Sequence, residues 1–227
     1  MLAAGVLGAV DDPWIRWSWI SGHVDVITAA LVQHIQLTLI AVVIGLTIAV
    51  PLGLVAWRSR LLRGPIFSLT GILYTIPSLA LFSALVPFTG FTILTAEVGL
   101  VSYTLLILIR NIVVGLTSVP DEVREAARGM GYRPLAELAR IDLPLAIPAI
   151  IAGVRIATVT TIGLVTVTAL IGEGGLGILI YDGLLRDFRT PLVVGTVLSV
   201  TLAFIADFSL AGAQRLITPW SRTRATT

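Results

Sequence analysis

No cysteine occurs in this chain, and no lysine. The first absence excludes disulfides and thiolate metal sites. The second excludes a phosphate-binding loop of the form GxxxxGK[ST], whose lysine reaches the phosphates, and it removes Schiff-base chemistry as well. All fifteen basic residues are therefore arginine. Charge of either sign is scarce at 12% of residues, and a net charge of +2 is too small to point to nucleic acid. The two histidines, His23 and His34, form no HExxH pattern, which leaves an intramembrane enzyme without its catalytic pair. Both read as polar surface near a helix start. The opening MLAAGVLGAVDDPW lacks a positive n-region and has only a short apolar part, so a cleaved signal peptide is not expected.

What is abundant is apolar surface: 56% of the 227 residues are hydrophobic, and the mean hydropathy is +0.99. A soluble domain of this length needs a polar shell that the composition cannot supply. Five apolar runs, near residues 34–57, 65–88, 98–116, 145–171 and 192–213, have roughly the 17–25 residues a bilayer-spanning helix requires. Lipid offers no hydrogen-bond partner to the backbone, so the runs should be helical. The expected fold is an all-α polytopic membrane protein with about five spans. Ahead of the first, WIRWSWI places Trp14, Trp17 and Trp19 close together. It reads either as an interfacial helix or as a tail with incidental aromatics.

Arginine placement predicts orientation. Arg58, Arg60 and Arg63 follow the first run; Arg124, Arg128, Arg133 and Arg140 follow the third; Arg215, Arg222 and Arg224 follow the fifth. Only Arg16, Arg186 and Arg189 fall on the other side. Ten against three puts the N-terminus outside and the C-terminus in the cytoplasm by the positive-inside rule. The expected organisation is an extracytoplasmic segment over 1–29, a transmembrane domain over 30–215 and a cytoplasmic tail over 216–227. An odd span count and the lack of an internal repeat speak against two inverted halves.

The polar interruption between the third and fourth runs, EAARGMGYRPLAELARIDLP, carries the most information. Ser118, Pro120, Asp121 and Glu122 read as a helix start with a serine cap and acids at the positive dipole end. That helix should run through Glu125, Ala126 and Ala127 and stop near Gly129 or Gly131. A second short helix should begin at Pro134, and Pro144 should open the fourth span. The pattern Glu-Ala-Ala, three residues, glycine, nine residues, Ile-x-Leu-Pro is filled by Glu125, Ala126, Ala127, Gly131, Ile141, Leu143 and Pro144. It resembles the EAA loop of ABC importer permeases of the type I, methionine-permease-like kind.

The resemblance implies that this loop forms cytoplasmic coupling helices between spans three and four, docking into a separate ATP-binding subunit. Small Ala126 and Ala127 permit close approach, Gly131 permits a sharp turn, and Glu125 with Arg128 could make charge-assisted contacts that set register. Further stretches, TIPSLALFSALVPFTG, Arg110-Asn111, AGVRIATV, ALIGEGGLGILIYDGL and IADF, look like osmoprotectant permeases for glycine betaine, carnitine, choline and related quaternary amines. Glu173 departs from the small residue expected before the double glycine, at an outer gate or at a contact with a binding protein.

Three further groups are candidates. Gly172, Gly174, Gly175 and Gly177 crowd the outer end of the fourth run, as a re-entrant turn lining a cavity or as close helix packing. Arg110, Arg155 and Asp207 lie inside spans, where ionisable groups pair or face water. An Arg–Asp207 ion pair is the expectation, with arginines reaching for the cytoplasmic surface the alternative. A quaternary ammonium has no N–H to donate, so its recognition relies on aromatic faces; Tyr74, Phe82, Phe88 and Tyr103 are the aromatics considered along a pathway or gate.

The expected function is the permease subunit of an ATP-driven osmoprotectant importer in the bacterial cytoplasmic membrane. The resemblance implies a non-catalytic chain with no cofactor, since ATP and magnesium belong to the partner. It also implies a second permease chain, identical or sister, and an extracytoplasmic binding protein. A methionine-type or other small-solute ABC permease and a secondary carrier are the alternatives.

Overall fold

The computed structural model describes residues 14–220. Residues 1–13 of the expected N-terminal segment and 221–227 of the expected tail, with Arg222 and Arg224, lie outside that range. The described chain is helical throughout: α1 Trp17–Gly22, α2 Val24–Arg58, α3 Arg60–Thr75, α4 Ser78–Thr89, α5 Ile93–Thr117, α6 Asp121–Gly129, α7 Pro134–Glu137, α8 Leu143–Val167, α9 Leu176–Leu185 and α10 Arg189–Ile217. A π-helical stretch, Leu138–Asp142, fuses α7 to α8, and a 3₁₀ turn, Thr168–Ile171, ends α8. Four helices are long and apolar enough to cross a bilayer, or five if the bent pair α3–α4 counts as one.

The centre is the packing of α2, α5 and α8. Along α2 a small residue recurs every turn: Ala41, Gly45, Ala49, Gly53 and Ala56, all buried. Apolar side chains gain little from leaving lipid for another helix, so close backbone approach through small residues drives this association. A Cβ at Gly45 would stand 2.0 Å from the Thr104 hydroxyl oxygen, and one at Gly53 would stand 2.7 Å from the Ile112 side chain. Gly153 of α8 meets Asn111 of α5 equally closely. Leu108, Ile109, Ile112 and Leu116 of α5 fill the seam.

The second apolar run, expected as one span, is broken. Helices α3 and α4 meet at 96°. The cause is Pro77, which has no N–H to continue α3 and pushes Ile76 into an extended conformation (φ −63°, ψ 128°). The Tyr103 hydroxyl donates to the Ile76 carbonyl freed by the break.

Helix α9 follows a compact turn. Gly172 (φ 82°) and Gly175 (φ 51°) reverse the chain into α9. The N-terminal segment is folded against this end: the Arg16 N–H donates to the Thr190 hydroxyl at 2.9 Å, and Trp19 meets Phe188 edge-on at 5.7 Å. Helix α2 starts at Val24, ten residues ahead of the expected span, and this places His34 inside the bundle. His34 is fully buried, its Nε2 3.1 Å from the Ile162 carbonyl oxygen, so it is a core residue and not polar surface.

Candidate coupling site and the polar groups of the spans

Helix α6 lies just beyond α5 and carries Glu125, Ala126, Ala127 and Arg128. Its N-cap is Pro120, without a side-chain cap. Ser118, expected in that role, instead donates to the Gly115 carbonyl at 2.8 Å and closes the last turn of α5. The C-terminus ends as anticipated: Gly131 adopts φ 84°, with bonds from the Tyr132 N–H to the Ala127 carbonyl and from the Gly131 N–H to the Arg128 carbonyl. This is the Schellman arrangement, which needs a left-handed residue at that one place. Pro134 then starts α7, and this second segment runs without interruption through the π stretch into α8. It is not a separate short helix. Ile141, Leu143 and Pro144 form that junction.

Two arginines hold the pair of helices. Arg128 grips Glu137 with Nε to Oε2 and Nη2 to Oε1, both at 3.0 Å, a two-pronged geometry that fixes orientation as well as distance. These hydrogen bonds keep the Glu137 carboxyl below the usual glutamate range. Glu137 precedes the apolar stretch of its helix.

Arg124 reaches further. Its Nε donates to Asp142 at 2.9 Å, Nη1 to Asp121 at 3.2 Å and Nη2 to the Leu116 carbonyl at 2.5 Å. Its guanidinium lies 5.4 Å over the Trp57 ring at the end of α2. The loop is thereby tied to the ends of α2, α5 and α8. Ala127 faces inward and is buried, while Glu125, Ala126, Met130 and Leu135 are exposed, leaving an outward face of small, apolar and acidic groups. The EAA spacing does not reveal Arg124, Glu137, Asp142 or Trp57. The available signal was two acids within an arginine-rich loop.

At the opposite end Gln33 of α2 clamps the glycine turn. Its Nε2 donates to Glu173 at 2.7 Å, and its Oε1 accepts the Gly175 N–H at 3.1 Å. Close packing governs these glycines: a Cβ would stand 2.6 Å from His34 at Gly175, 2.5 Å from Ala169 at Gly174 and 2.4 Å from Thr166 at Gly177. Gly172 is exposed and needed for its conformation alone.

The aromatic candidates separate. Phe82 is a core residue wedged against Gly99, and Tyr103 is buried at the α3–α4 break. Tyr74 meets Tyr103 edge-on at 5.9 Å and stays partly open, and Phe88 is exposed. Within the spans, Arg155 of α8 faces Asp207 of α10, with Nε to Oδ1 at 3.0 Å and Nη2 to Oδ1 and Oδ2 at 2.8 and 2.9 Å. Arg155 Nη1 also donates to Gln214 at 3.3 Å, and Gln214 donates to the Pro148 carbonyl. Arg110 does not join them; it is exposed, with no ion pair among the described residues. No cluster of three His, Asp or Glu able to hold a metal occurs among the described residues.

Residues 29–218 match the model of the family described as binding-protein-dependent transport system inner membrane component. A choline transport system permease protein, OpuBB of Bacillus subtilis, is 38% identical over 82% of this chain and 86% of its own length. A glycine betaine/carnitine/choline transport system permease protein, OpuCB of the same organism, is 36% identical over 82% and 86%. The osmoprotectant import permease protein OsmW of Salmonella typhimurium is 35% identical over 82% and 89%. Among solved structures, a chain of the inward-facing MetNI methionine ABC transporter superposes with a TM-score of 0.80 at 22% identity, covering 87% of this chain and 98% of that one; at that identity the likeness concerns the fold. With a family match spanning most of its residues, the chain belongs to the binding-protein-dependent transport system inner membrane components.

Proposed function

We propose that this chain is the non-catalytic permease subunit of an ATP-driven importer for quaternary-amine osmoprotectants such as glycine betaine, choline or carnitine. The observation that carries the substrate class is the identity of 35–38%, over most of the chain, to permeases named for those solutes. In this reading α6 and α7 are the coupling element. They lie in the cytoplasm and present Glu125, Ala126, Met130 and Leu135 to an ATP-binding subunit, which holds the ATP and magnesium. Arg124 and Arg128 make the element rigid, so that closure of the ATPase is passed to α2, α5 and α8 as rigid-body movement. The N-terminus and the α9 turn face outward, toward a separate binding protein, and a second permease chain, identical or sister, completes the pathway.

The test is uptake of labelled glycine betaine into vesicles that contain the chain, its ATPase and its binding protein. ATP-dependent uptake, competed by choline or carnitine but not by methionine and abolished by Glu125→Arg with the chain still inserted, is the expected result. ATP-dependent uptake of methionine instead would overturn the substrate class. Uptake indifferent to ATP would overturn the reading as an ABC permease.

A further inference from the structure

The ion pair between Arg155 and Asp207 is not enclosed. Their side chains remain 29% and 36% exposed. Arg155 stands twelve positions into α8 and Asp207 ten positions from the end of α10, or about 15–18 Å along each helix at 1.5 Å per residue. By length alone the pair lies several turns in from those ends, within segments long and apolar enough to cross a bilayer. A half-open ion pair there is costly against lipid tails, and such groups face water or a protein interior instead.

The surroundings are those of a site. A cavity of about 580 Å³ between α8 and α10 is walled by Ala152, Ile156, Val159 and Phe204 and ends on Arg155 and Asp207. A second cavity of about 300 Å³ shares the same ion pair as its wall and adds Phe208 and Gln214. The pair therefore sits between two spaces, one flanked by Phe204 and the other by Phe208. The two rings stack at 6.3 Å with 19° between planes and are 60% and 70% exposed.

We propose that this groove is a transient binding site on the translocation path for a zwitterion that joins a quaternary ammonium to a carboxylate. The proposal rests on the osmoprotectant reading and deepens it. The guanidinium of Arg155 has five N–H donors, of which Asp207 and Gln214 engage three, the two contacts from Nη2 to the Asp207 carboxylate sharing one hydrogen, which leaves two for an incoming carboxylate. The methylated nitrogen cannot donate a hydrogen bond, and the aromatic faces of Phe204 and Phe208 attract it through their quadrupoles. Asp207 adds a negative charge behind the rings. An ion pair flanked by aromatic faces, with Arg215 on the wall of the second cavity, offers positive charge to a carboxylate and aromatic faces to a quaternary ammonium, and so suits a zwitterion. A site of this kind holds its solute loosely, as a pathway requires. The aromatics lie on α10, whereas the sequence directed attention to Tyr74, Phe82, Phe88 and Tyr103.

The experiment compares glycine betaine with choline, which carries the cation without the carboxylate, as labelled solutes in vesicles containing the complete transporter at saturating binding protein. Arg155→Lys keeps the charge but loses the forked geometry, and should lower the betaine-to-choline rate ratio roughly tenfold, as expected for one charge-assisted hydrogen bond. Phe204→Leu with Phe208→Leu changes two largely exposed side chains that the core clusters do not include. It should slow both solutes by about threefold to tenfold, with Phe204→Tyr restoring the rate. An unchanged solute ratio in Arg155→Lys, or full rates for both solutes in the double leucine variant, overturns the site. If Arg155→Lys fails to insert, the leucine and tyrosine variants decide alone. A wild-type transporter that carries neither solute removes the osmoprotectant reading itself, and the site with it.

Discussion

Arg124 and Asp142 stand 18 positions apart in sequence and meet at 2.9 Å, with side chains 13% and 2% exposed. This contact ties α6 to the head of α8. Arg124 also bonds the last turn of α5 through the Leu116 carbonyl, so one guanidinium stands where three helices converge.

Removing one partner of that pair leaves the other charge buried without compensation, at a cost of about 3–5 kcal/mol. Arg124→Ala should therefore separate ATP hydrolysis from transport: hydrolysis by the assembled complex persists while solute uptake falls at least roughly tenfold. Asp142→Asn keeps a hydrogen-bond acceptor and should fall between wild type and Arg124→Ala. Parallel assays of phosphate release and uptake decide the matter. Equal loss of both activities would mean that the pair only stabilises the chain.

Much of this was legible in the sequence because its causes are local. Long apolar runs report spans, and a fixed spacing of Glu125, Ala126, Ala127 and Gly131 reports the loop. Pro77 was equally visible, yet whether a proline bends a span by a few degrees or breaks it depends on what receives the freed carbonyl. Here that group is Tyr103, 27 positions away. The same holds for Phe82, whose packing against Gly99 of α5 no local pattern reveals. Arg155 and Asp207 could be paired from sequence by depth, but the depth estimate also admitted Arg110, which points elsewhere. What sequence conceals is the azimuth of each helix.

The small-residue stripe of α2 makes its own prediction. Gly45→Val forces side-chain atoms into the space of Thr104, and the helices must move apart or the rotamers must strain, at about 1–3 kcal/mol. Gly64→Ala has nothing within 4 Å of the added carbon and should be neutral or slightly stabilising, because alanine favours the helix. Thermal unfolding in detergent should thus lower Tm for the first variant and leave the second at or above wild type. The reverse order would place the α2–α5 seam elsewhere.

The Arg128–Glu137 bond has a definite pH signature. Its effect is to lower the Glu137 carboxyl in the folded state, so the unfolded chain takes up this proton at a higher pH than the folded one. The stabilisation is fully present above the ordinary glutamate value of 4.5, and is lost as pH falls through the depressed folded value. Amide exchange in α6 should therefore be flat across neutral pH, after correction for intrinsic exchange, and should accelerate only in acid. Glu137→Gln should show the faster exchange already at neutral pH. A transition near neutrality in the wild type would assign the tether to another group.

At the far end of the bundle, Gln33 uses both ends of its amide on one turn, and the two contacts have different chemistry. The bond to Glu173 is charge-assisted, whereas the one from the Gly175 N–H is neutral. Glu173→Gln preserves an oxygen acceptor and weakens only the first, so its effect should be small, about 0.5 kcal/mol for a partly exposed pair. Gln33→Leu removes both and strands the buried Gly175 N–H, costing about 1–3 kcal/mol. Exchange at Gly175 follows the same order, slowest in wild type, slightly faster in Glu173→Gln and fastest in Gln33→Leu. Because Gly175 packs on the α2 backbone at His34, the turn has no room to rebuild the lost bond by shifting toward the helix, and the ranking should hold in the isolated permease as well as in the assembled transporter. Equal exchange in the two variants would mean that Glu173, the position at which this chain departs from the expected small residue, carries the clamp alone.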